Sequence, residues 1–249
     1  MRVTVLGSSA SFAPAGKACS GYLVEGDGAK VLLDCGNGAL ANLTRVMDPL
    51  DLDAVVLSHA HPDHFADVYA LQALLRYAPS GPAPAKPLYV PQGLFERLKV
   101  LLSGRGAVEL EEAFRVTELA HGRTVRVGGL DITPLLVEHT DPTFGLRVRE
   151  GDAVFAYTAD TAFGDWLHPL LDGASLALAE ATLPEVYAGA APHLTAAEAG
   201  RAAREAGARQ LVLTHLWPTN DVEASIGEAS EAFGAPVRLA TEFETYEVS

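Results

Sequence analysis

Cysteine is nearly absent: two residues in 249 cannot staple a fold, and Cys19 and Cys35 lack the CxxC or Cys/His spacing of a zinc site. They are expected to be small buried thiols on neighbouring strands in a reducing compartment. Cations are also short. Eighteen Lys and Arg face 32 Asp and Glu, a formal charge of -14, which repels a polyanion at long range and argues against large nucleic acid as a partner. Apolar runs are brief: those at 54–57 and 211–213 are strand-length and end in polar or turn residues, so no membrane-spanning helix is expected. The start of the chain lacks a basic segment, apolar stretch and small-residue cleavage site in succession, so a cytoplasmic protein is expected. The loop Gly7, Ser8, Ser9, Ala10, Ser11 lacks both the Lys-Ser/Thr ending of a P-loop and GxGxxG spacing.

What is present is a hydrophobic fraction of 49%, enough for a filled core, with no linker and no short-period repeat. One domain over 1–249 is expected. Residues 2–6, 21–24 and 30–34 read as a β-meander, 39–46 as a helix and 54–57 as a strand. Helical spacing runs from His64 to Tyr77, and the stretch from Pro79 to Pro87, rich in Pro, Ala and Gly, reads as a loop, either a lid or a connector. Further strands are expected at 124–127, 130–137, 144–148, 154–157, 176–179, 210–213 and 237–239, with helices at 166–171, 196–206 and 222–233. Two β-rich halves, each with helices, place the chain in the α/β class, with two sheets face to face and helices outside.

The chemistry concentrates at His59, His61, Asp63 and His64, directly after the strand that ends before Ser58. In an extended segment residues i and i+2 project the same way, so His59 and His61 can grip one ion together. Pro62 forces a turn, after which Asp63 and His64 open a helix and can face a second ion. Imidazole and carboxylate without thiolate suit Zn, with Mn or Fe as alternatives. Four residues alone also fit a polar turn that happens to be rich in histidine. Against that reading, His139, Asp160 and His215 each follow an expected strand, where ligands can converge on one rim, and five of the eight histidines are then used.

In order, LSHAHPDH, EHTD, YTAD and LTH resemble the metallo-β-lactamase superfamily, over most of the chain. The resemblance implies a four-layer αββα sandwich, with His59, His61 and His139 on a first metal, Asp63, His64 and His215 on a second, and Asp160 bridging. Within that superfamily, AEAT at 179–182 and HLTAAEAG at 193–200 resemble the ribonuclease Z branch, where a glutamate orients a histidine that serves the leaving group. Those residues would be Glu180 and His193. On the residues alone, a surface glutamate and a loop histidine remain the alternative, since Thr195 and Glu198 also form a capping box at the next helix. His121 and His168 match nothing and read as surface or structural residues.

The implied mechanism is attack on a phosphodiester by a hydroxide shared between two divalent ions, with Asp63 steering as well as ligating and His193 protonating the leaving oxygen. Only about twenty residues separate His139 from Asp160, where ribonuclease Z carries its tRNA-gripping arm. That arm is missing. SGYLV, EHTDPTFGLRV and HLTAAEAGRAAREAGARQLVLTH instead resemble compact bacterial members that hydrolyse cyclic nucleotides. The expected function is hydrolysis of small phosphodiesters, as a cyclic nucleotide phosphodiesterase, with Phe12, Phe65 or Trp217 stacking on the base. The alternatives are a ribonuclease Z-like RNA-processing endonuclease, a lactonase or thioesterase, and a non-catalytic metal- or nucleotide-binding member. No membrane partner is expected, and relatives suggest a homodimer.

Overall fold

The computed structural model describes residues 1–140 and 142–249; Asp141, which closes the EHTD run, lies outside them. Fourteen strands and eight α-helices are assigned among these residues. The first sheet contains β1 (Arg2–Gly7), β2 (Gly21–Gly26), β3 (Ala29–Leu33), β4 (Ala54–Val56), β5 (Lys86–Val90), β6 (Phe114–Glu118) and, from the far end of the chain, β14 (Thr245–Glu247). The second contains β7 (Val125–Val127), β8 (Leu130–Val137), β9 (Thr143–Glu150), β10 (Ala153–Tyr157), β11 (Leu176–Glu180), β12 (Leu211–Thr214) and β13 (Arg238–Leu239). Their orders are β14-β1-β2-β3-β4-β5-β6 and β13-β12-β11-β10-β9-β8-β7.

Each sheet is half antiparallel and half parallel. The first pairs β1, β2 and β3 as the expected meander and then runs parallel from β3 to β6. In the second, β7 to β10 are antiparallel and β10 to β13 parallel. Parallel neighbours need a crossover, and helices supply it. On the first sheet these are α1 (Ala39–Val46), α2 (Pro62–Phe65), α3 (Val68–Tyr77), α4 (Leu94–Val100) and α5 (Gly104–Ala113), and on the second α6 (Leu167–Leu171), α7 (Ala196–Glu205) and α8 (Val222–Phe233).

Period-two alternation sorts the apolar side chains into three layers of contact. Val31 and Leu33 of β3 point between the sheets and meet Leu146, Phe155 and Leu178, whereas Leu32 points outward with Leu43 and Leu71 of the helices. On the other side Ala177, Ala179 and Leu213 pack under Leu170, Ala199 and Phe233. Both faces of the inner strands are therefore buried, which explains their unbroken apolar runs. A fully buried Leu in such a position contributes roughly 1.5–3 kcal/mol. The result is the four-layer αββα sandwich.

Three expectations need correction. The span 88–118 carried no assignment, yet it forms most of β5 and all of α4, α5 and β6; its helices are short, α5 opens on Gly-Arg-Gly, and β6 is an edge strand with three exposed residues, so periodicity is faint. The loop expected to reach Pro87 gives way to β5 at Lys86. A proline is tolerated there because β5 meets β4 only from Leu88 onward. The single helix expected from His64 to Tyr77 is broken into α2 and α3, since the Asp67 N–H donates to Cys35 O at 3.0 Å and its carboxylate accepts from Leu40 N.

Candidate metal centre

The parallel strands set their C-terminal ends on one rim, where ligands of α/β sheets gather. After β4 the chain stays extended through His61, which caps α2 with φ −90° and ψ 139°. Pro62 then fits the first helical position, where no N–H is needed. This places His59 and His61 on the extended segment and Asp63 and His64 on the first turn. From the other sheet come His139 after β8, Asp160 after β10 and His215 after β12. Two of these strand ends and the end of β3 are turned sharply by residues in the left-handed region: Ala159 (φ 52°), His215 (φ 52°) and Asp34 (φ 55°). Such conformations cost about 1–3 kcal/mol each and persist only where surrounding contacts over-determine them.

All seven residues expected as ligands come together. Ligating atoms of His59, His61, His139 and Asp160 lie within 4.8 Å of one another, as do those of Asp63, His64 and His215. Asp160 reaches both groups: Oδ2 is 3.6 Å from His59 Nε2 and 3.7 Å from His139 Nε2, while Oδ1 is 3.3 Å from His64 Nε2.

The outer edges of the rings decide which nitrogens face inward. His64 Nδ1 donates to Asp34 Oδ2 at 2.7 Å, His139 Nδ1 donates to Pro192 O at 2.9 Å, and His59 Nδ1 lies 3.0 Å from Ser58 Oγ, itself a donor to Asp34. His215 Nδ1 lies 2.9 Å from Thr182 Oγ1. With both Nδ1 atoms engaged, the lone pairs of His64 Nε2 and His215 Nε2 are left facing each other at 3.2 Å, and His139 Nε2 turns toward His61 Nδ1 at 3.1 Å. His59 Nε2 and Asp160 Oδ1 are buried with no hydrogen-bond partner among the described residues. Converging lone pairs and orphaned buried acceptors are costly on their own and are relieved by cations. The donor set fits metal.

Electrostatics divide the cluster: burial opposes charge on His64, yet Asp160 and Asp34 outweigh it and hold this ring well above its ordinary pKa, so a proton there takes the place a metal cation could fill. Burial, followed by the neighbouring His64, holds His59 well below its ordinary pKa, so its imidazole is neutral and able to ligate. Burial opposes charge on Asp63 and Asp160, yet the surrounding imidazoles outweigh it and keep both carboxyls below the usual range. The two cysteines take no part. Burial, then Asp63 and Asp67, push the Cys19 thiol up to about 12, and burial raises Cys35 as well, so neither offers a ready thiolate.

Glu180 and His193 are also together. Glu180 is fully buried at the end of β11 and accepts three hydrogen bonds: from Thr161 N at 2.7 Å, Thr182 N at 3.1 Å and His193 Nδ1 at 2.9 Å. It is no surface glutamate. Burial would lower the pKa of His193, but the hydrogen bond and charge of Glu180 outweigh this and raise it. The His193 side chain keeps 18% exposure, stacks over His215 with ring centroids 6.1 Å apart, and lies within ligating reach of Asp160 and His215. It stands on the open side of the centre. The Thr195–Glu198 capping box is present as well and fixes the start of α7 just beyond it. His121 serves the backbone by accepting from Leu136 N, and His168 sits on α6.

Sequence reasoning missed Asp34, Ser58 and Thr182. Asp34 is fully buried and accepts from Ser58 N, Ser58 Oγ, His64 Nδ1 and Tyr157 OH at 2.7–2.9 Å. One carboxylate thus orients a histidine in each ligand group, as outer partners of metal ligands do. A signal was available: an aspartate closing the apolar strand VLL is a buried charge that needs a partner. The N-terminal loop also reaches the centre, where the Ser11 N–H donates to Asp63 Oδ2 at 2.7 Å.

The description "Beta-lactamase superfamily domain" matches residues 8–216. A Mycobacterium tuberculosis protein is 37% identical over 259 aligned residues, covering 100% of this chain and 92% of its own. The probable metallo-hydrolase YhfI of Bacillus subtilis is 33% identical, with 96% and 97% of the two chains covered; its crystal structure superposes with a TM-score of 0.88 at 30% identity, covering 98% of each chain. Ribonuclease Z of Thermobifida fusca is 27% identical over 95% of this chain and 91% of its own. With this fold and a His/Asp cluster able to bind metal, the chain belongs to the beta-lactamase superfamily, as one of its metallo-hydrolases.

Proposed function

We propose that this protein hydrolyses small phosphodiesters, and cyclic nucleotides in particular, with two divalent ions, zinc first among them. The observation that carries the reading is the Glu180–His193 pair on the open side of a centre whose two ligand groups share Asp160. His59, His61 and His139 would hold one ion, Asp63, His64 and His215 the other, with Asp160 between them. When bound, such ions neutralise charge on phosphoryl oxygens and acidify the attacking water. Glu180 accepts the Nδ1–H of His193 and its charge favours the doubly protonated ring, whose Nε2–H is given to the leaving oxygen, leaving the neutral Nδ1–H tautomer behind. Asp63, held by the Ser11 N–H, keeps its oxygens aligned for ligation and for orienting the attack.

A lactonase or thioesterase has no need of this proton donor. The likeness to ribonuclease Z supports phosphodiester chemistry, but the chain between His139 and Asp160 is occupied by the paired strands β9 and β10, and the charge of -14 offers little grip on many phosphates. A cyclic nucleotide needs only the centre. The test compares cyclic AMP with a precursor tRNA bearing a 3′ trailer, under one metal and salt condition. Hydrolysis of cyclic AMP with the trailer intact is expected; trailer removal with inert cyclic AMP would sink the assignment.

A further inference from the structure

Beside the centre lies a cavity of about 290 Å³ lined by Thr182, Leu183, Pro184, Tyr187, Trp217 and Asn220, close to the lower end of small-molecule sites. Its wall is mostly apolar carbon, yet two aromatic side chains there are only partly covered by protein: Tyr187 is 58% exposed and Trp217 39% exposed. A packed core aromatic would be far less accessible. Phe12 meets Trp217 edge to face at 6.2 Å and 90°, bracing the indole. Of the three aromatics suggested by sequence, Phe65 instead leans on the first sheet's helical core. Tyr187 was not anticipated.

The cavity is joined to the centre through one residue. Thr182 Oγ1 contacts the His215 ring at 2.9 Å, while the Thr182 carbonyl accepts from Asn220 Nδ2 at 3.0 Å. Asn220 N also donates to Trp217 O at 2.9 Å. The loop carrying Trp217 is thereby tied down, and the Asn220 amide oxygen, which has no hydrogen-bond donor among the described residues, can accept from a ligand N–H.

We propose that this cavity binds the nucleobase of the substrate, stacked on Trp217 and Tyr187 and read by Asn220, while the phosphodiester lies at the metal centre. The inference rests on the phosphodiesterase reading and specifies its substrate class as a nucleotide. A flat base matches an aromatic-walled slot with one polar contact, and base–aromatic stacking tolerates any base. No cationic side chain lines the cavity, so it favours the neutral part of the substrate over its phosphate.

The test uses the metal-loaded Trp166→Phe protein, in which Trp217 is the sole tryptophan, and follows its fluorescence during titration with AMP and with ribose 5-phosphate. AMP should quench saturably and ribose 5-phosphate should not. Tyr187→Ala, at an exposed site that does not threaten folding, should weaken AMP binding by roughly tenfold, the scale of one lost stack. Equal responses to the two ligands, or unchanged affinity in Tyr187→Ala, would overturn the base cavity. Hydrolysis of bis(4-nitrophenyl) phosphate by the parent separates the two failures. If hydrolysis persists while AMP fails to quench, only the base cavity falls; without hydrolysis of any phosphodiester, the underlying reading falls.

Discussion

Glu180→Gln is the sharpest perturbation of the proton-delivery pair, because the structure fixes what the new amide meets. Glu180 Oε1 serves both Thr161 N and His193 Nδ1, and Oε2 serves Thr182 N. Glutamine has one oxygen, so its lower-cost orientation keeps oxygen toward Thr161 and His193 and turns the NH₂ group against the Thr182 N–H. One buried donor is then unsatisfied, at about 1–3 kcal/mol, or a melting point lower by roughly 2–12 °C for a chain of this size. His193 stays oriented but loses its charged partner. The difference between a charged and a neutral hydrogen bond, about 1–2 kcal/mol, corresponds to roughly 5- to 30-fold in turnover. His193→Ala should lose about a hundredfold or more, with the larger deficit on poor leaving groups. The assay is steady-state hydrolysis of two aryl phosphodiesters of unequal leaving-group acidity, on both single variants and the double. Since Glu180 acts through His193, adding Glu180→Gln to His193→Ala should cost no further turnover. A full additional loss in the double variant, or parental rates in both singles, would refute the reasoning.

Metal stoichiometry tests the bridge: loaded protein should carry close to two transition-metal ions per chain by elemental analysis, and Asp160→Ala should lose at least one. Equal loading of parent and variant would remove Asp160 from the centre. Gly36→Ala should shed metal and melt at lower temperature, because a Cβ at that position would sit 1.9 Å from the Asp63 carbonyl oxygen and must push the ligand turn away. Overpacking of this kind costs about 1–3 kcal/mol, and unchanged metal retention with an unchanged melting point would contradict it.

The residues of the His/Asp cluster were legible because their signals are local or nearly so. HAHPDH follows an apolar strand, and His139, Asp160 and His215 each end one. Glu180 and His193 were legible only as a pair through resemblance, since residue type alone left a surface glutamate standing. Asp34, Ser58 and Thr182 are of another kind: each matters through a partner that register and sheet packing bring near, and nothing in Asp-Cys-Gly or Leu-Ser-His states which atoms will meet. Tyr187 follows the same rule, being an exposed aromatic whose sequence does not say that it lines one cavity with Trp217. In the span 86–118 the elements are held by their neighbours more than by their own pattern, as β6 shows with one buried residue in five.

His61 and His139 meet across 78 residues of chain, and His64 and His215 across 151. An emerging chain therefore exposes His59, His61, Asp63 and His64 long before their partners exist, and those four alone complete neither group. The last histidine arrives with β12, after nearly the whole second sheet has been synthesised. Ion capture would thus report successful docking between the two sheets. Ions held by both groups would clasp opposite layers of the sandwich and resist their parting.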